Sequence, residues 1–297
     1  MIGEFAALGT AICWALAAIL YKGALLKADP LSANILRCLC ASAVLGAFIL
    51  GTGKLGVLKS MPTYMFALAC ISGIISLGIG DTFYLISLRL IGVARAVPIA
   101  CTYPLFNLLL AVFLARENVT LFIVLGASAI VLGIWFISRE KEANVAGRQK
   151  QILLKGVICA LSSAIMWSIG ISVANMAVRE APNFDYALAI NALRVIAAVV
   201  FLLFLAPIIN RSFNFLEIRR EAFIELVAGG VMALVIGWFL FILSFINTSE
   251  SRAVPLSSTG ALFSTIAGIV FLREKVTTEN VMGSLFIVAG IFLIFLA

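Results

Sequence analysis

The chain has 297 residues, 63% of them hydrophobic and only 12% charged, with a mean hydropathy of +1.17. Apolar runs this long and this poor in charge describe a polytopic membrane protein, not a soluble domain. The net charge of +7 then records the ends and orientation of spans, and no nucleic-acid partner is expected. There is no histidine, which leaves imidazole base catalysis, metal hydrolysis and a histidine proton relay without support. Cys13, Cys38, Cys40, Cys70, Cys101 and Cys159 show no CxxC or CxxH spacing and read as small apolar packing groups. No phosphate-cradling glycine loop occurs, so ATP is not the direct energy source, and no cofactor or metal is expected.

The apolar runs are continuous instead of alternating in polarity. In lipid that means helices and excludes a β-barrel. The start of the chain lacks a basic segment and a small-residue cleavage site, so residues 4–24, with Trp14, are expected to be the first of ten spans. Span two, 31–52, carries Asn34 and Arg37, and span three, 62–88, carries Asp81 and Tyr84. Span four, 96–115, opens on Arg95-Ala96-Val97-Pro98 and holds Tyr103, Asn107 and Pro104, whose ring should kink it. Pro98, like Pro255 in span nine, is expected in the first helical turn. Span five, 119–138, contains Gly126 and Gly133.

A polar connector, 139–155, leads into span six, 156–178, with Trp167. Span seven, 185–208, carries Asn191 and Arg194, and span eight, 221–246, carries Trp238. Span nine, 253–272, offers Ser257, Ser258, Thr259 and Ser264, and span ten, 278–297, holds Gly283 and Gly290.

Much of this is written twice at an offset of 157 residues. Arg95 to Pro98 returns as Arg252 to Pro255, Asn34 and Arg37 as Asn191 and Arg194, and Gly73 and Gly80 as Gly230 and Gly237. Residues 1–138 and 156–297 therefore read as two five-helix repeats. Because five is odd, the second must cross the membrane in the opposite sense, as inverted repeats around a central cavity. That symmetry is the sequence signature of alternating access.

An unneeded charge in hydrocarbon costs at least about 2.5 to 3.5 kcal/mol, so ionisable residues inside spans point to function. Asp81 is the one acid far from a span end; its counterpart is Trp238, so it has no symmetric mate. It is read as a substrate contact or proton-coupling carboxyl, or else as a structural partner of Arg37. Asn34 and Arg37, like Asn191 and Arg194, are spaced three apart on one helical face, as a polar lining for an anionic or zwitterionic solute or as snorkelling side chains. Trp14, Trp167 and Trp238 supply cavity walls or packing. Tyr84, Tyr103 and Asn107 extend polar faces on spans three and four, although small polar groups also serve as helix glue. The glycines of spans five and ten are read as packing or dimerising struts outside the pathway, which makes a homo-oligomer through these helices a candidate assembly.

Of the 21 Lys and Arg residues, 14 fall in odd-numbered loops and five in even ones. The positive-inside rule then places the odd loops in the cytoplasm and both termini outside.

Ten spans in two inverted halves, an early tryptophan in each half (Trp14, Trp167), and Arg-Ala-Val-Pro opening each fourth span resemble the drug/metabolite transporter superfamily, EamA type. So does Arg-Glu-x-Val-Thr before each fifth span, at Arg116, Glu117, Val119 and Thr120 and again at Arg273, Glu274, Val276 and Thr277. The resemblance implies a basket of spans one to four and six to nine around a cavity, with five and ten peripheral. It also implies a plasma-membrane exporter or exchanger of small metabolites such as amino acids, and it often puts both termini in the cytoplasm, against the charge count. The expected function is secondary active transport of a small polar or zwitterionic metabolite, with a proton or exchange substrate as driver, and not an enzyme. A non-transporting receptor or assembly subunit, or a flippase of lipid-linked substrates, are the alternatives.

Overall fold

The computed structural model describes residues 2–107, 120–138, 147–180, 182–209, 218–248, 250–272 and 277–296. Among them every regular element is helical. In chain order they are α1 (Ile2–Ala24), α2 (Pro30–Gly51), α3 (Leu55–Ser60), α4 (Thr63–Gly73), a π-helical segment (Ile74–Gly80), α5 (Asp81–Ile91), α6 (Val93–Ala100) and α7 (Leu121–Ser138). The second half has α8 (Gly147–Glu180), α9 (Phe184–Ile208), α10 (Arg220–Gly230), a second π-helical segment (Val231–Gly237), α11 (Trp238–Asn247), α12 (Glu250–Ser258), α13 (Gly260–Leu272) and α14 (Thr278–Phe295).

Six continuous stretches are long and apolar enough to cross a bilayer: Ile2–Ala24, Pro30–Gly51, Thr63–Ile91, Gln149–Arg179, Phe184–Ile208 and Arg220–Asn247. Val124–Ile137 and Thr278–Leu293 are shorter apolar helices. Large side chains such as Phe5, Phe48, Phe204 and Phe271 stand exposed on the outside. In a protein with this composition they form the lipid-facing coat.

Helix ends obey local chemistry. Asp29 caps α2 by accepting from the Ser32 amide, with Pro30 in the first turn. Asn183 caps α9 by accepting from the Tyr186 amide at 2.9 Å. At the far end of α5, Gly92 adopts φ 78°, and Lys22 Nζ donates to the carbonyls of Leu88 (2.8 Å) and Arg89 (3.2 Å). Helix α8 starts at Gly147, inside the stretch expected as a polar connector.

Two departures from regular helix matter for the site. Spans three and eight each contain a seven-residue π-helical segment. The two segments lie 157 positions apart. Spans four and nine are interrupted at Thr102 and Thr259, again 157 apart. The first break lies where Pro104, which has no amide to donate to the Ala100 carbonyl, is expected to bend the span, and Thr102 Oγ donates to the Ile99 carbonyl at 2.7 Å beside it. Pro98 lies within α6, past its first turn.

The packing is reciprocal. Helix α1 packs mainly on α10, α11, α12 and α13, whereas α8 packs on α4, α5 and α6. A Cβ at Gly73 would stand 2.1 Å from the Arg194 carbonyl oxygen, and one at Gly230 would stand 2.9 Å from the Arg37 carbonyl oxygen. Helices α7 and α14 face each other through glycines: a Cβ at Gly133 would meet the Gly283 carbonyl at 2.6 Å, and one at Gly290 the Gly126 carbonyl at 2.5 Å. These glycine faces pack on each other within one chain.

Candidate functional site

The π-helical segments set the site. In a π turn the amide bonds five residues back, which widens the helix and rotates the residues beyond it. The Asp81 amide donates to the Ser76 carbonyl and the Trp238 amide to the Ala233 carbonyl. Carbonyls displaced from the α-helical ladder need other donors. Asn34 Nδ2 supplies one, donating to Leu77 (3.0 Å) and Gly78 (3.2 Å) and to Thr82 Oγ (2.8 Å). Asn191 Nδ2 donates to Leu234 at 2.9 Å in the same way. The glycines that end these segments make room for the partner half's tryptophan. A Cβ at Gly80 would be 2.9 Å from Trp167 Cδ1, and one at Gly237 would be 2.9 Å from Trp14 Cδ1.

Asp81 therefore emerges in the middle of the bundle, 3% exposed, where side chains from two other helices hold it. Its Oδ2 pairs with Arg37 Nη2, and Trp167 Nε1 donates to its Oδ1 at 2.7 Å. Arg37, 1% exposed, also donates from Nε to Asn34 Oδ1 at 2.9 Å and lies 4.8 Å from the centre of the Tyr21 ring. Tyr21 in turn donates to the Gly229 carbonyl at 2.8 Å. A buried charge pair is tolerated only when its remaining donors and acceptors are engaged, and this network engages them.

Around the pair lies a cavity of about 40 Å³. Its walls are Trp14, Tyr21, Arg37, Asp81, Tyr84, Val97, Cys101, Tyr103, Trp167, Ile171, Ala233, Leu234 and Trp238. Trp14 and Trp167 stack with centroids 6.4 Å apart, Trp14 and Trp238 lie at 5.1 Å, and Tyr84 tilts against Trp167 at 5.0 Å. Tyr103 bonds Ser257 Oγ at 2.6 Å; that hydroxyl itself donates to Val254, so Tyr103 is the donor. The space holds a few waters at most, whereas pockets for organic ligands run to about 300–1,000 Å³. A metabolite enters only if the walls part.

Seven residues chosen from the sequence meet here: Asp81, Arg37, Trp14, Trp167, Trp238, Tyr84 and Tyr103. Asn34 and Asn191 stand behind the wall as donors to the π-helical carbonyls. Arg194 lies behind Trp238, its guanidinium carbon 3.9 Å from the ring centre. Asn107 lies outside the lining, accepting from Ser168 Oγ. Tyr21, Cys101 and Ile171 were missed as lining; only a helical register could have revealed them. The Arg-Glu-x-Val-Thr motifs fall largely outside the described residues.

Comparison with known proteins decides what this arrangement belongs to. The model of the EamA-like transporter family matches residues 1–139 and again 154–296. The chain belongs to the EamA-like transporter family. Relatives of this EamA chain include an uncharacterized transporter of Archaeoglobus fulgidus, 28% identical over all of this chain and 96% of its own length. Another is a probable glucose uptake protein, GlcU, of Priestia megaterium, 29% identical over 85% of each chain. A solved crystal structure superimposes with a TM-score of 0.69 at 18% identity, covering 98% of this chain and 95% of its own, which shows that the fold is shared. EamA membership makes the chain a multi-pass membrane transporter and not an enzyme.

Proposed function

We propose that the protein is a secondary active transporter of the cell membrane that carries a small polar or zwitterionic, amino-acid-like metabolite by alternating access, as an exporter or exchanger. On this reading it is built of ten spans in two inverted five-span repeats, 1–138 and 156–297, joined by 139–155. The observation that carries the proposal is the Arg37–Asp81 pair, buried in the wall of the small aromatic cavity. A zwitterion can take over both partners at once, its carboxylate on Arg37 and its ammonium on Asp81, while the indoles hold its body. The pair would then open only when substrate replaces it, which ties conformational change to occupancy.

The reciprocal contacts support the inverted arrangement, since a twofold relation makes position i meet j and the mate of j meet the mate of i. Two ion pairs between halves support gating at both ends. Lys27 pairs with Glu221, and Lys54 Nζ lies 2.5 Å from Asp185 Oδ1. Exposed pairs are worth little individually, which suits contacts that must open and close repeatedly.

A second reading, a hexose, is favoured by the abundance of indole and phenol rings in the lining and by the similarity to the probable glucose uptake protein. A neutral sugar would bind with the Arg37–Asp81 pair intact.

The test replaces Lys27 and Glu221, or Lys54 and Asp185, by cysteines and links either couple with a short bifunctional thiol reagent cleavable by reductant. Each link should stop counterflow in proteoliposomes, and reduction should restore it. Unimpaired flux through protein linked at both faces would refute alternating access.

A further inference from the structure

Charge balance in the membrane interior narrows the substrate class. Three described charged side chains are buried well inside the spanning helices: Arg37, Asp81 and Arg194. Arg194 is ten residues into α9 from Phe184, roughly 15 Å from the helix start at 1.5 Å per residue. Among the other described acids of the long helices, Glu4 is in the first turn of α1, and Glu225, whose Oε2 is buried without a hydrogen-bond partner among the described residues, packs against Gly23 at the end of the bundle that carries the Lys27–Glu221 pair, away from Arg194.

Arg37 and Asp81 neutralise each other. Arg194 is fully buried, yet its partners are neutral: Nε donates to Ser72 Oγ at 2.9 Å, Nη2 donates to Ser76 Oγ at 3.0 Å, and the guanidinium stacks on Trp238. Its Nη1 has no hydrogen-bond partner among the described residues. The contrast with Arg37 is informative, because Arg37 Nε bonds Asn34 Oδ1 whereas the equivalent oxygen of Asn191 is buried and unpartnered among the described residues. Arg194 has turned from its own helix to the other half, where Ser72 lies in the last turn of α4 and Ser76 in the π-helical segment. A guanidinium keeps its proton at any working pH, so the described interior carries one net positive charge behind the cavity wall.

Resting on the transporter reading above, we infer that the substrate is a small organic anion of one net negative charge, with Arg194 as the residue that sets this preference. The anionic group belongs at the Arg37 wall of the cavity, since the faces of Trp14, Trp167 and Trp238 repel negative charge and accept an apolar body. Entry of such a solute cancels the uncompensated charge of Arg194 across the Trp238 ring. A cation would add to it.

The experiment measures counterflow in chloride-free sulfate buffer, with the membrane potential clamped, for two matched series: glutamate, glutamine and lysine; phenylacetate, 2-phenylethanol and phenethylammonium. The anion of at least one series should be preferred. Arg194→Gln should cut the anion-over-neutral ratio by about ten- to thirtyfold, the effect of one unit charge roughly 8–10 Å away at an effective dielectric of about 20. Arg194→Lys should retain most of it. Preference for a neutral or cationic member in the wild type, or an unchanged ratio in Arg194→Gln, overturns the anion assignment while leaving the transporter standing. An equal loss of the ratio in Arg194→Lys and Arg194→Gln overturns the charge role. Absence of flux for every member, with flux of a neutral hexose in the same vesicles, overturns the anion assignment and leaves the transporter standing.

Discussion

Breaking the buried pair one side at a time should cost far more than breaking both. Arg37→Gln leaves the Asp81 carboxylate with Trp167 Nε1 as its remaining described donor, and Asp81→Asn leaves the Arg37 guanidinium facing an amide. Each stays buried, because Arg37 is 1% and Asp81 3% exposed. Removing one partner of a buried ion pair typically costs about 3–5 kcal/mol, whereas replacing both by neutral groups of similar size is often nearly neutral. The Arg37→Gln/Asp81→Asn double variant keeps an amide at each position, so Asn34 and Trp167 retain their partners. It should lie within about 2 kcal/mol of wild type, which implies a coupling of about 4 kcal/mol or more. Ordinary interhelical hydrogen bonds in membranes couple by only about 0.6 kcal/mol on average. The assay is reversible unfolding by SDS in mixed micelles, run as a double-mutant cycle. Additivity of the single variants to within about 0.5 kcal/mol would show that the two side chains do not act as a buried ion pair.

Gly73→Ala drives a Cβ into the Arg194 carbonyl, 2.1 Å away. It should destabilise by about 3 kcal/mol, while Gly46→Ala, which meets nothing within 4 Å, should be neutral or stabilise by up to about 1 kcal/mol; thermal melts of the two variants in detergent read the difference. Trp167→Phe keeps an aromatic wall but removes the donor to Asp81, a bond to a charged group worth about 1.5–3 kcal/mol, and is expected to weaken substrate affinity by at least about tenfold in a ligand-induced melting-shift titration; unchanged affinity would place Trp167 outside the site. Gly133→Leu should force α7 from α14 and lower the melting temperature without altering the substrate's half-saturation constant in counterflow, and a change in that constant would bring these helices into the pathway.

Much of the site was legible in the sequence because a charge in hydrocarbon needs a reason. Asp81, Arg37 and the paired tryptophans stand out by residue type alone, and the 157-residue offset links the halves in the sequence itself. What stayed hidden was geometric. Nothing in Ile74–Gly80 announces a π-helical segment, since its stabilisation comes from Asn34 on another helix. The divergent roles of Arg37 and Arg194 were equally invisible. Both stand three positions after an asparagine, but one finds a carboxylate and the other turns to Ser72 and Ser76 of the opposite half. The bend in span four was legible in Pro104, since α6 ends four residues before it, whereas a tyrosine in an apolar span, such as Tyr21, carries no local signal.

The most direct test of the account is counterflow in proteoliposomes for amino acids, sugars, nucleobases and organic acids, with and without a pH gradient. It compares wild type with the folded Arg37→Gln/Asp81→Asn variant. Saturable flux of one solute class is expected in the wild type, and its loss in the variant. Equal flux in both would remove the buried pair from the mechanism, and stabilisation by a ligand with no flux in the wild type would make the protein a receptor, not a carrier.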